Sequence, residues 1–498
     1  MQRLLIVWFV MLLVAAACSS GGDEEETAIT TAPTSTTAPP STTATSTTIE
    51  PPTATIDSGE SPGPEGIGDS LYPTMGNGGY DVQSYSLDLT IDVDDNTLEG
   101  SATIDSVANQ DLTSFNLDFS GLQIKSLTVN GTVAEHIRVD DELVIAPVER
   151  ITSGEEFRTV VVYSGTPEPV NDPGVPFTSI GWLNQCGVVF IVSEPSGAKT
   201  FFPSNNHPTD KATYQIRITA DTELTSAATG VLLETIENGD GTSTTVWQMD
   251  DPMTTYGAAI YVGDFERRES VNVDGVLIRN YFPPDRADDL EVAFELTGDM
   301  IAFYSELFDA PYPFDAYGSI VLPFPTGFAL ENQSLSVHGA DTTDIYTIAH
   351  EIMHQWAGNA VTVADWQDVW MNEGFATYLP LLYFEARDLD SGLDADVMYF
   401  LLEGGAYDGA AEVDIRDLFG ASVYFRGGLG LHALRVEVGD DVFRQILRTY
   451  YERFQGGHVT TGQFLDLVSE LGGPAARDAI DPWLFGRDLP LFPGAVGG

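Results

Sequence analysis

Residues 347–378 decide how this chain is read: Thr347-Ile348-Ala349-His350-Glu351-Ile352-Met353-His354-Gln355-Trp356, then Trp370-Met371-Asn372-Glu373-Gly374-Phe375-Ala376-Thr377-Tyr378. His350, Glu351 and His354 form an H-E-x-x-H pattern. On a helix, positions i and i+4 leave the same face one turn apart, so both imidazoles can reach one metal ion. Two histidines and a carboxylate, with a fourth position left for water, make the donor set of catalytic zinc sites; Glu373 can supply the carboxylate. Glu351 lies beside the pair, where it can take a proton from the attacking water. The alternative is a surface helix with two solvated histidines. The apolar neighbours Ile345, Ile348, Ile352, Met353 and Trp356 argue for a buried helix instead. The chain has seven His in all, and two of them fall at ligand spacing.

Other blocks accompany this one. Phe201-Phe202-Pro203-Ser204-Asn205-Asn206-His207-Pro208-Thr209-Asp210-Lys211-Ala212-Thr213-Tyr214 follows Glu194-Pro195. Ala329-Leu330-Glu331-Asn332 precedes the H-E-x-x-H motif, and Tyr424-Phe425-Arg426-Gly427 follows it. Together and in this order they closely resemble the aminopeptidase N family of gluzincin metallopeptidases. The matching segments are the family's N-terminal-domain signature with its preceding E-P, its G-A-M-E-N segment and its Y-x-K/R-G segment. The resemblance runs from about residue 80 to the C-terminus.

That resemblance implies an α+β multidomain fold, with an antiparallel β-sandwich or saddle domain followed by a thermolysin-like α/β zinc-peptidase domain. It implies peptide substrates and one zinc ion per chain. Tyr424 would join Glu351 in catalysis, its phenol stabilising the oxyanion. Glu194 and Glu331 would bind the substrate's N-terminal ammonium, which has a pKa of about 8 and is largely cationic at neutral pH. Two departures stand out. Phe328 replaces the first Gly of G-A-M-E-N, with Gly327 one residue earlier, at the wall of the first specificity pocket. Val192 and Ser193 stand where the family has an aromatic partner before Glu194. Thr377, one turn after Glu373, is either a partner for that ligand or a helix-surface residue. His338 and His432 are expected to be structural.

Residues 1–17 pair a short charged start with an apolar run too short for an ordinary membrane span, and read as a signal peptide. Ala15-Ala16-Ala17-Cys18 resembles a bacterial lipoprotein cleavage box, so Cys18 is expected to carry lipid and anchor the protein outside the cytoplasmic membrane, at the bacterial cell surface. An ordinary secretory signal cut near Ala17 is the alternative. Residues 18–70 are rich in Ser, Thr, Pro and acidic residues and read as a disordered tether. From 71 to 267 the apolar pattern is mostly period two, as in Tyr85, Leu87, Leu89, Ile91 and Val93, which reads as an antiparallel β domain. Asn130-Gly131 and Asp274-Gly275 read as hairpin turns. Residues 268–498 carry helical periodicity around a short strand near 319–322, with late helices near 429–437, 441–454 and 461–471. The chain stops about 75 residues after Tyr424, whereas larger relatives continue into a helical domain that covers the active site. Two folded domains and a more open cleft are therefore expected.

Asp and Glu number 75 against 21 Lys and Arg, a formal charge of −54, which excludes nucleic acid as a partner. Lys occurs only at 125, 199 and 211. The composition fits a protein exposed to salt and equally an ordinary secreted protein; either way its field attracts cationic peptides. The function expected is a zinc-dependent aminopeptidase. Its rivals are a zinc endopeptidase or dipeptidase with an open cleft, a non-catalytic peptide-binding lipoprotein, and a lipid epoxide hydrolase built on the same metal site. Nothing in the chain points to lipid substrates, and an intact motif set argues against loss of catalysis.

Overall fold

The computed structural model describes residues 61–405 and 407–492. The signal peptide, Cys18 and the tether up to residue 60 lie outside the described residues.

The first half is built on an eight-stranded sheet. Its spatial order is Val231–Glu237, Thr242–Met253, Ala212–Asp221, Tyr80–Asp92, Thr97–Ala108, Glu156–Gly165, Gln123–Val129 and Thr132–Val133. Period-two patterning becomes the two faces of a strand: Tyr85, Leu87, Leu89 and Ile91 are buried, and Ser86, Asp88 and Thr90 are exposed. Asn130 and Gly131, both at positive φ (50° and 76°), make the two-residue turn between the last two strands. One pairing is parallel, between Tyr80–Asp92 and Ala212–Asp221, with Leu87 opposite Ile216. A parallel pair needs a long crossover. Here the crossover contains a three-stranded sheet and two strands of a four-stranded one. The second of these holds Val188–Val192, buried along its whole length, and Glu194 emerges two residues past its end.

A mixed sheet opens the second half. Its order is Glu266–Val271, Leu277–Phe282, Ser319–Val321, Ser336–His338 and, at the edge, Ala329–Leu330. The first two strands are a hairpin turning through Asp274-Gly275. Apart from its exposed edge strand Glu266–Val271, the sheet is covered on both faces. Tyr281, Ile320, Leu322 and Val337 pack into the core of the first half, whereas Ile278, Phe282, Tyr317 and Val321 pack under the helices of the second. Glu331, next to the edge strand, thus lies where both halves meet. The long helix Gly427–Phe454 breaks at Gly439 (φ 77°, ψ 165°), which separates the two helices expected there. No described helix is long and apolar enough to cross a membrane.

The tether ends earlier than residue 70. Residues 61–70 already lie along the folded part: the Gly63 N–H donates to the Ser114 carbonyl at 2.8 Å, and the Ser70 N–H donates to Asp365 at 2.9 Å. The reason is polar rather than apolar, which hides it from a search for large hydrophobic side chains. The buried Asp69 carboxylate accepts from the backbone of Leu71, Tyr72 and Trp366 at 2.7–2.9 Å and faces the His207 ring at 3.3 Å. Burial pushes its pKa up, but His207 and the Trp366 and Tyr72 N–H groups outweigh that and leave it below its usual value. Such a carboxylate contributes stability that is present above about pH 4 and lost as pH falls through its lowered folded pKa. Asp69→Ala should cost about 3 kcal/mol in urea unfolding at pH 7, with the gap from wild type narrowing in acid. An unchanged midpoint would show that the segment contributes nothing.

Candidate active site

The motif helix, Ile345–Met353, begins at Asp344, whose side chain accepts from the Tyr346 and Thr347 N–H groups at 3.1 and 3.0 Å. Ile348, Ile352 and Met353 are buried beneath it. His354 keeps helical dihedrals at the C-cap, so it stays one turn from His350. Glu373 comes from the first turn of Trp370–Arg387. His350 Nε2 and His354 Nε2 are 3.0 Å apart, and Glu373 Oε2 lies 3.4 and 3.5 Å from them. Donors held tetrahedrally at about 2.0–2.1 Å from one zinc ion stand about 3.3–3.4 Å apart, so the triangle fits the ion.

Charge makes the same point. Glu194, Glu331, Glu351 and Glu373 are all buried around the two imidazoles. Burial pushes Glu194, Glu331 and Glu351 upward, and neighbouring carboxylates add to the push. Burial would also raise Glu373 and depress His354. Instead the imidazoles hold Glu373 at about 2, and Glu331 and Glu373 hold His354 at about 10. Glu194 Oε1, Glu331 Oε1 and Glu351 Oε2 are buried without a hydrogen-bond partner. Such a cluster demands cations. Two other donor groups, Glu331/Glu351/His354 and Glu194/Glu331/Glu373, also bring their atoms within 4.8 Å of one another. Only His350/His354/Glu373 offers two imidazoles and one carboxylate, the set that suits zinc.

Tyr424 lies on a π-helical turn, Ser422–Arg426, and its ring stacks on His350 with centroids 6.0 Å apart. Arg426 anchors the turn. Its buried guanidinium donates to the carbonyls of Pro482, Trp483 and Asp488 at 2.7–3.1 Å. Gly374 and Gly427 let the Glu373 and Tyr424 helices touch, because a Cβ on Gly374 would come within 2.9 Å of the Gly427 backbone. Gly358 has φ +130° and sits against His354, leaving no room for a side chain.

Glu194 comes from the first half and Glu331 from the second. The Glu194 turn is held through its neighbours: Asn206 Nδ2 donates to the Pro195 carbonyl at 3.2 Å, and the Ser196 hydroxyl donates to Asp172. The Glu331 carbonyl accepts from Asn359 Nδ2 at 2.7 Å and Gln355 Nε2 at 3.3 Å. The seven residues singled out from sequence, Glu194, Glu331, His350, Glu351, His354, Glu373 and Tyr424, therefore share one pocket. Phe328 packs towards the first-half core, and its carbonyl accepts from the Thr326 and Thr342 hydroxyls. Thr377 is buried and makes no described hydrogen bond to a metal-ligand candidate; Tyr346 holds its carbonyl. His338 is a core residue bonded to the Thr342 carbonyl, with burial pushing its pKa down to about 4. His432 meets Tyr378 away from the cluster. The sequence reading gave no role to Gln355 and Asn359, or to the Arg426 of the Tyr424 block. The first two sit inside the 347–378 stretch, but their role needs the fold to become visible.

Two histidines one turn apart on a helix, closed into a triangle by a glutamate from the next helix and flanked by a second glutamate, after a β-rich half, match the gluzincin class of zinc peptidases. Residues 292–483 match the peptidase family M1 domain, and residues 81–256 match the peptidase M1 N-terminal domain. The M1 zinc metallopeptidase from Deinococcus radiodurans superposes with a TM-score of 0.81 at 34% identity, covering 87% of this chain and 100% of that one. A mutant form of it bound to a Tyr-Ser-Ala substrate matches equally well, with a TM-score of 0.81. Aminopeptidase M1-A of Oryza sativa is 25% identical over 71% of this chain, and endoplasmic reticulum aminopeptidase 1 of Homo sapiens is 24% identical over 72%. The chain spans 43% and 42% of the length of those two relatives. This chain belongs to peptidase family M1.

Proposed function

We propose that this chain is a zinc-dependent aminopeptidase that removes N-terminal residues from peptides. One zinc ion would be held by His350, His354 and Glu373. When bound there it supplies Lewis acidity to the attacking water and the scissile carbonyl. Glu351, with an unpaired buried oxygen and a pKa raised by burial, takes the water's proton and returns it to the leaving amine. Tyr424, whose phenol burial keeps protonated, donates to the carbonyl oxygen as negative charge develops. Glu194 and Glu331 close one end of the pocket and pair with the substrate ammonium.

The observation that carries this reading is the pair Glu194 and Glu331. Both are buried within reach of the metal triad, each has an oxygen without a hydrogen-bond partner, and Glu331 Oε1 faces the His354 ring at 3.5 Å. An endopeptidase has no need of two buried carboxylates beside the metal triad. Outside the described residues, the Ala15-Ala16-Ala17-Cys18 segment supports signal cleavage, lipidation of Cys18 and a place at the bacterial surface.

Nα-acetylation removes the ammonium charge. A hydrogen bond to a charged group is worth about 1.5–3 kcal/mol, so blocking should lower kcat/KM by more than about tenfold. Mass spectrometry of free peptides should show a ladder shortened from the N-terminus. Equal cleavage of free and acetylated peptides, or internal cuts, would replace this reading with an endopeptidase. For the anchor, Cys18→Ser should release the protein from the membrane fraction; retention there would rule out lipidation at that site.

A further inference from the structure

Lys211 belongs to the 201–214 signature, yet none of the chemistry above uses it. It is one of three lysines in a chain with 75 acidic residues, and among the described residues it makes no ion pair. Burial alone pulls its pKa down to about 7. A half-buried lysine that loses much of its hydration, with no carboxylate to offset the loss, is unfavourable unless its hydrogen bonds compensate. Its Nζ donates to two consecutive carbonyls of the second half, Asn359 at 3.0 Å and Ala360 at 3.1 Å.

Those carbonyls belong to the turn that leaves the motif helix. The Asn359 N–H returns to the His354 carbonyl at 3.0 Å, while its side-chain amide donates to the Glu331 carbonyl at 2.7 Å. Asn359 is thus fixed at three points, and two of them are active-site residues. The same seam is pinned again where the Thr362 hydroxyl donates to the Pro208 carbonyl at 3.0 Å and the Tyr256 hydroxyl to the Gly358 carbonyl at 3.2 Å. On the other flank of the signature, Asn206 holds the Glu194 turn.

We infer that Lys211 is a positioning residue for substrate binding: by clamping Asn359 from across the domain seam it sets the place of Glu331 at the ammonium-binding end of the pocket. The inference rests on the aminopeptidase reading of Glu331. It explains why the signature lies far in sequence from the metal yet acts next to it. Lys211 touches neither substrate nor metal ligand, so its loss should weaken recognition of the free amine more than it slows turnover.

The test compares wild type, Lys211→Met and Lys211→Arg on matched free and Nα-acetylated peptides, with zinc content and thermal unfolding measured on each protein. Lys211→Met should bind zinc as wild type does. Its KM for free peptides should rise about tenfold, its kcat should change less than threefold, and its preference for free over acetylated peptides should shrink. Lys211→Arg, which keeps the charge and donors, should recover part of the KM. Unchanged KM and preference in a folded, zinc-loaded Lys211→Met would overturn the inference. So would a general loss of zinc, kcat and stability that Lys211→Arg does not relieve, since that marks a purely structural lysine. A wild-type enzyme indifferent to acetylation would instead overturn the aminopeptidase reading, and the inference with it.

Discussion

Four buried glutamates gathered around two histidines, one buried and one partly buried, impose the constraint on which this structure turns. Each buried carboxylate loses its hydration, and each raises the cost of ionising the next. His354, drawn up to about 10 by Glu331 and Glu373, registers how strongly the cluster calls for positive charge. Two cations answer that call in the proposed reaction: a metal ion on the His350/His354/Glu373 triangle, and the substrate ammonium at Glu194 and Glu331. In that proposed reading, the electrostatics that a core would avoid favour a substrate carrying a free ammonium over a neutral peptide stretch.

Holding such a cluster together takes rigid supports from several parts of the chain. Apart from its edge strand Glu266–Val271, the sheet that ends in Ala329–Leu330 is covered on both faces, by the first-half core and by the helices. It therefore cannot shift without disturbing both. Gly374 and Gly427 bring two helix backbones into contact, and Arg426 ties the Tyr424 turn to the carbonyls near residue 483. The seam of 204–211 against 358–362 registers the first half on the second. The two ends of the cluster are linked through Asn359, which bonds the carbonyls of both His354 and Glu331.

Much of this was legible in the sequence, for identifiable reasons. Helical spacing made His350 and His354 readable as a pair, and their apolar flanks made the helix readable as buried. Period-two runs announced the strands, and Asn130-Gly131 and Asp274-Gly275 their turns. What stayed hidden depends on distant partners. The parallel pairing of Tyr80–Asp92 with Ala212–Asp221 joins segments with more than a hundred residues between them, which no local pattern reports. Asp69 anchors residues 61–70 through hydrogen bonds to Trp366 and His207, so a stretch with tether-like composition is docked. Thr377 could be read from spacing as either a partner for Glu373 or a helix-surface residue; it is buried, and its carbonyl accepts from the Tyr346 hydroxyl. The π-turn under Tyr424 has no period to read.

The central claim is that the cluster holds one metal ion through Glu373 while Glu351 stays free to move a proton. Zinc content per chain, measured by mass spectrometry on wild type, Glu351→Gln and Glu373→Gln together with peptide turnover, tests it most directly. The account predicts one zinc in wild type and in Glu351→Gln, with turnover lost in the latter, and a sharp fall in zinc affinity in Glu373→Gln. Full zinc retention in Glu373→Gln, or turnover near wild type in Glu351→Gln, would contradict it.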